Sequence, residues 1–112
     1  MQLQTFIKST HYVKKVKEFN PDLIIELHFN AFEKKAYGCE ALVPNYGAQS
    51  KLEAEKFLKL FSKHFRIKSR GVKIVTKGVR GYKNLFPLRK FKTFLFEPCF
   101  ANFKTDDSMR II

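Results

Sequence analysis

Apolar residues change their spacing from one segment of the chain to the next, and the spacing predicts the elements. Gln2, Leu3, Gln4, Thr5, Phe6 and Ile7 alternate, which predicts an exposed strand over 2–7. Val13, Val16 and Phe19 recur at helical spacing behind Ser9 or Thr10, either of which can cap, so a helix is expected over 9–19. Asn20-Pro21-Asp22 then stops the helix and turns the chain. Leu23-Ile24-Ile25 and Leu27 make a nearly continuous apolar run over 22–28, broken only by Glu26. A run apolar on both faces predicts a strand buried inside a parallel sheet. A second strand is expected from Cys39 to Val43, ended by Pro44. Ser50-Lys51-Leu52-Glu53 has the capping-box pattern, with Ser50 at the cap and Glu53 three positions on. The helix it opens runs to about Phe65. Ala54, Phe57, Leu58, Phe61 and Phe65 fall on one face, and Lys51, Glu55, Lys59 and Lys63 on the other. Residues 67–90 are basic and punctuated by Gly, which predicts loop with a short strand near Val72–Val75. Phe91 to Phe96 reads as the last strand, ending in Glu97-Pro98, and the polar tail from Ala101 as a short helix or frayed end.

Strands separated by helices predict an α/β fold: a mostly parallel sheet with helices on both faces. A chain of 112 residues without repeats or a Gly/Ser linker is expected to be a single domain, 1–112. In such sheets ligands bind beyond the carboxyl ends of the strands. That rule singles out His28 and Glu97, each the polar residue that closes an apolar strand.

Composition adds a packed core and a strong charge. Apolar residues make up 45% of the chain and Phe alone accounts for 13 positions, which excludes a disordered chain. No apolar run approaches the roughly 18 residues of a membrane span. Met1 to Lys8 lacks the basic-then-apolar layout of a signal peptide, so a wall substrate would require export by another route. The formal charge of +12 favours encounter with polyanions: nucleic acid, anionic membrane or cell-wall polymer. Basic residues run from Lys8 to Arg110 without a compact block, as a solvated surface also would. Cys39 and Cys99 are too few for a disulfide framework, and each sits in an apolar run as a buried, inert thiol would.

The candidate chemistry is short. A neutral imidazole at a strand end can ligate zinc, so His28 is a candidate ligand, although a lone His beside apolar residues is more often a hydrogen-bonded core residue. Glu26 shares a strand face with His28 and can orient its ring or pair with a Lys. Glu97 follows three bulky apolar residues, and desolvation there would raise its pKa toward the range of a general acid or base. The alternative is a surface carboxylate capping the strand. Glu40, embedded in Cys39–Val43, reads as the partner of a Lys or Arg. His11 and His64 lack metal-binding spacing. Phosphate loops, nucleophile elbows and Cys-x-x-Cys pairs are absent from the sequence. Basic and aromatic residues interleave over Arg80 to Phe86, a weak polyanion-groove pattern.

Taken together, these segments resemble the zinc-dependent N-acetylmuramoyl-L-alanine amidases of type 3, which cleave between N-acetylmuramic acid and L-alanine in peptidoglycan. Asp22 to Ala31 resembles the family strand ending in His-x-Asn-Ala, and Gly38-Cys39-Glu40-Ala41-Leu42 the next strand with its Gly-x-Glu core. Arg70-Gly71-Val72-Lys73 resembles the loop after the long helix. Leu88-Arg89 through Phe94-Leu95-Phe96-Glu97-Pro98 resembles the closing strand with its catalytic Glu. The likeness spans about residues 12 to 106. It implies that His28 ligates zinc and that Glu97 is the catalytic acid/base. Glu26 and Glu40 are candidate supports of that site, and Asn30 and Arg89 candidate contacts to substrate. The family's other two zinc ligands, a His after its first strand and a Glu from the following helix, have no match here. The resemblance therefore implies a sheet without that first strand and helix, with an exposed edge. It also implies that this chain alone binds zinc weakly.

Three functions follow as expectations. The first is a peptidoglycan hydrolase, an autolysin or endolysin, acting on the bacterial cell wall in the periplasm or outside the cell. The second is a catalytically dead module that binds peptidoglycan or regulates another hydrolase. The third, from charge alone, is a nucleic-acid-binding domain.

Overall fold

The computed structural model of the protein describes residues 2–6, 11–28, 38–44 and 48–98. Helix α1 covers Tyr12–Phe19, strand β1 Ile24–Leu27, strand β2 Cys39–Pro44 and helix α2 Ala48–Phe65. Strand β3 follows at Ser69–Val75, then helix α3 at Tyr82–Leu85, a 3-10 turn at Phe86–Leu88 and strand β4 at Thr93–Glu97. The sheet order is β1-β4-β2-β3. β1 runs parallel to β4 and β2 parallel to β3, while β4 and β2 join antiparallel. The expected α/β sheet, mostly parallel, is present.

Helices cover both faces of the sheet. Cys39, Ala41 and Val43 of β2 and Phe94 and Phe96 of β4 point to one side, where they bury against Ala54 and Leu58 of α2. Phe57 anchors this layer, its ring centroid 4.9 Å from that of Phe96 and 5.5 Å from that of Phe94. Alternate residues point the other way: Leu42 and Leu95 meet Leu85 and Tyr82 of α3. The α1 helix packs on this second side, against the 3-10 turn. The apolar face expected of α2 is the face it buries, and Lys51, Glu55, Lys59 and Lys63 are exposed.

The local expectations fail where tertiary partners compete. Ser50 does not cap α2, which begins at Ala48. Its hydroxyl instead accepts the Thr93 backbone N–H at 2.9 Å, tying the helix to the entry of β4. Residues 2–6 form no strand, because no sheet strand lies beside them to complete a ladder. Leu3 is exposed and Phe6 sets its ring edge-on to Phe19. The α1 helix opens behind His11, which makes no side-chain cap bond, whereas Ser9 and Thr10 lie outside the described residues. It stops as expected: Asn20 turns left-handed at φ 54° and donates its N–H to the Val16 and Lys17 carbonyls. Residues 67–90 hold more than the expected short strand, since β3 spans seven residues and α3 and the 3-10 turn follow. The tail from Ala101 lies outside the described residues.

β1 was expected in the sheet interior and stands at its edge. Its side chains alternate between partly buried and exposed, with Leu27 71% exposed, because α2 packs over β2, β3 and β4 and not over β1. Ile24 and His28 direct their backbone N–H groups to Lys92 and Phe96 of the β4 side. Ile25 and Leu27 therefore turn theirs away from β4, to a side where no strand lies among the described residues. An edge position for β1 agrees with the resemblance.

Ser50→Ala removes the acceptor for a buried N–H. It is expected to cost about 1–3 kcal/mol, read as a lower urea midpoint with an unchanged slope.

Candidate active site

The register of the sheet brings the candidate residues to one end. Across the antiparallel join Glu40 faces Glu97 directly, Ala41 faces Phe96 and Leu42 faces Leu95. Both carboxylates therefore point to the α3 side of the sheet, and both are about 1% exposed. β1 lies parallel on the far side of β4, with Glu26 paired to Leu95. His28, one step beyond the strand, follows on the same side. The carboxyl ends of β1 and β4 thus coincide with the amino end of β2, because β2 runs the opposite way.

Burying two carboxylates side by side costs energy unless cations accompany them. Three do. Arg80 Nη1 donates to Glu97 Oε1 at 2.7 Å, and its Nη2 donates to Glu40 Oε1 at 3.2 Å. Lys73 Nζ lies 2.5 Å from Glu40 Oε2, and Arg70 Nε 3.5 Å from the same oxygen. The two carboxylates differ in what remains free. Glu97 Oε2 is buried and has no hydrogen-bond partner among the described residues.

A β-bulge places the lysine. The two-residue step from Cys39 to Ala41 is matched by a three-residue step from Ser69 to Val72. The extra residue includes Gly71 at φ +85°, a conformation that suits glycine. Without it, side-chain alternation would turn Val72 toward Glu40 and Lys73 into the α2 core. With it, Val72 joins the core layer and Lys73 meets Glu40. Arg80 arrives by a different device. The turn before α3 presses Gly81 onto β2 so closely that a Cβ there would lie 2.8 Å from Leu42 Cδ1.

The electrostatics follow. Burial, with the Glu40 charge, holds the Glu97 carboxyl above its ordinary value, while Arg80 and His28 oppose the shift. Burial works against the Arg80 cation, but its two carboxylates outweigh it and raise its pKa. His28 is about one-third exposed, and its Nε2 lies 2.8 Å from Glu26 Oε1. The contact engages Nε2 of the ring and not Nδ1. Tyr12 of α1 is pushed above its ordinary value by burial and by the charge of Glu26.

The remaining candidates stand elsewhere. Arg89 donates to the Phe86 carbonyl at 2.9 Å and lies over the Phe86 ring. His11 and His64 are exposed, away from the cluster. Cys39 is buried, with its thiol toward the Lys68 carbonyl, while Cys99 and Asn30 lie outside the described residues. Arg70, Lys73 and Arg80 were not anticipated as site residues; their only signal is an Arg-Gly pair at 70–71 and again at 80–81. An apolar groove of about 410 Å³ between α2 and β3 lies on the opposite face and shares no residue with the cluster.

The donor set is short for a catalytic zinc, which takes three protein ligands. Among the described residues no group of three or more His, Cys, Asp or Glu is arranged to hold a metal ion. His28 is a single candidate ligand, fewer than such a site needs.

A family model described as N-acetylmuramoyl-L-alanine amidase matches residues 3–109. No curated protein matches the chain. Among solved structures it is similar to the catalytic domain of CD27L endolysin targeting Clostridia difficile, at 27% identity and TM-score 0.73, covering 90% of this chain and 51% of that one. It is also similar to the N-acetylmuramoyl-L-alanine amidase from Clostridium difficile 630, at 18% identity and TM-score 0.73, covering 96% and 56%. AmiC2 of Nostoc punctiforme, also such an amidase, is similar at 19% identity and TM-score 0.68, covering 96% and 57%. The last two likenesses speak for the fold. The chain spans about half the length of these structures.

Because the folded-state pKa of Glu97 is raised, its protonated form is the one folding favours. Its contribution to stability is full below the unfolded-state value and is lost as pH rises through the folded-state value. The unfolding free energy of the wild type relative to Glu97→Gln is therefore expected to fall as pH rises above the ordinary carboxylate range of about 4. Urea titrations of both proteins at increasing pH check it.

Proposed function

Because the chain belongs to the N-acetylmuramoyl-L-alanine amidase family, we propose that it forms part of a zinc-dependent peptidoglycan hydrolase that cleaves the amide between N-acetylmuramic acid and L-alanine. The observation that carries the reading is Glu97. It is buried at the end of β4, one oxygen is tied to Arg80, and the other is without a partner among the described residues. A carboxylate kept out of water and pushed above its ordinary value is better suited to exchange protons than an exposed one. In the proposed reaction Glu97 takes the proton of the attacking water and passes it to the alanine nitrogen as the amide bond breaks. His28 serves as one zinc ligand, oriented by Glu26, and the remaining ligands come from outside the described residues. Glu40 supports the site, and Asn30 and Arg89 are the candidate contacts to substrate.

The proposed place of action is the bacterial cell wall, outside the cytoplasmic membrane. No helix among the described residues is long and apolar enough to cross a membrane.

The test is release of new alanine amino groups from purified peptidoglycan, with Zn²⁺ supplied. Glu97→Gln is expected to lower the rate by about 10²–10⁴-fold, and His28→Ala to lower the zinc retained, read by mass spectrometry. Undiminished release by Glu97→Gln would sink the assignment. The short donor set favours a second reading, a module that holds peptidoglycan without cutting it. Retention of the chain on insoluble peptidoglycan with no release of amino groups is the outcome that reading requires.

A further inference from the structure

We propose that Glu40 and Arg80 form a positioning pair for Glu97, with Glu40 the fixed anchor and Arg80 the fork that sets which Glu97 oxygen stays free to exchange a proton. The inference rests on the reading of Glu97 as the acid/base and adds two residues that act through it.

The geometry separates the two carboxylates by role. They are neighbours across the antiparallel join and equally buried, so burial alone does not distinguish them. Their partners do. Lys73 and Arg70 hold Glu40 Oε2, and Arg80 holds Glu40 Oε1. Glu97 receives one arm of Arg80 on Oε1, and its Oε2 is left buried and unpartnered among the described residues. A buried oxygen without a partner is a cost that native structures rarely keep without a use.

A guanidinium has the shape this task needs. Its two terminal nitrogens lie in one plane at fixed spacing, so bonding Nη2 to one carboxylate sets the direction of Nη1. Glu40 is held by two further cations and so gives Arg80 a fixed seat. Arg80 then fixes Glu97 at Oε1 alone. A lysine in its place carries the same charge and lacks the fork. The side chains of Arg80 and Lys73 are 48% exposed, so the cations reach out toward solvent while the carboxylates they organise are closed off.

The test uses the full chain and reads Arg80 directly. In ¹⁵N-detected NMR a guanidinium bonded at both ends has hindered rotation, and its two Nη resonances are separate. Glu40→Met keeps the volume and removes the anchor. The Arg80 resonances are expected to merge in that variant and to stay separate in Glu40→Gln, whose amide oxygen still accepts Nη2. Separate resonances in Glu40→Met, as in the wild type, overturn the inference.

Turnover on purified peptidoglycan with Zn²⁺ supplies the second readout. Arg80→Lys and Glu40→Met are expected to lose about 100-fold in kcat with KM unchanged, and Glu40→Gln to recover part of the loss. Variants that lose stability but keep the wild-type kcat in the folded fraction show a merely structural role and also overturn it. The functional reading fails separately: resonances that merge as expected, together with full turnover by Glu97→Gln, leave the pair in place and remove Glu97 as the acid/base. A chain without turnover is still decided by the resonances.

Discussion

The antiparallel join between β2 and β4 sets Glu40 opposite Glu97, and much of what stands at that end of the sheet answers to this contact. Two carboxylates that are buried and adjacent repel, and neither has water to spread its charge into. The chain meets the constraint with cations from two separate segments: Arg70 and Lys73 from β3, and Arg80 from the turn before α3. Neither segment is placed by local preference. The bulge at Gly71 and the close approach of Gly81 are both departures from regular geometry. Each delivers a positive charge to the same pair of anions.

The supply of cations is uneven, and the unevenness matters chemically. Glu40 is ringed by three cations. Glu97 shares a single guanidinium, and its dry setting holds its carboxyl above the ordinary value. Two residues of identical type and equal burial thus come to differ because of what the β3 bulge and the Gly81 turn bring to them. The apolar layer beneath makes this possible. Phe57 and Phe61 of α2 pack against Phe96, directly before Glu97, and fix the backbone from which that side chain projects.

The elements with strong periodicity were legible in the sequence. The α2 helix buries the predicted face, and β2 and β4 fall within a residue or two of their expected ends. His28 and Glu97 were legible as strand-end residues, and Glu40 as the partner of a basic residue. What was not legible depended on the path of the chain. An apolar run reads the same at a sheet edge as in its interior, so β1 was misplaced. Ser50 had the sequence of a cap, yet its hydroxyl found a backbone N–H forty-three positions away. Arg70, Lys73 and Arg80 lie in a stretch where basic residues are frequent. No spacing rule separates the one that bridges two carboxylates from those that face solvent.

The position of β1 divides the site by wetness. Glu97 is in an interior strand and is closed off, whereas His28 follows the edge strand and keeps about a third of its side chain exposed. These are the conditions the two proposed roles require. An acid/base gains from a dry setting, because desolvation brings a carboxyl toward neutral pH. A metal-binding imidazole must be reachable, held by one nitrogen and open at the other. Glu26 supplies that hold from the neighbouring position on the same face of the strand. A sheet that buried both residues equally would starve the ligand of access, and one that exposed both would return Glu97 to an ordinary carboxylate. The edge position of β1, which the apolar run concealed, is what lets the two residues sit side by side in different surroundings.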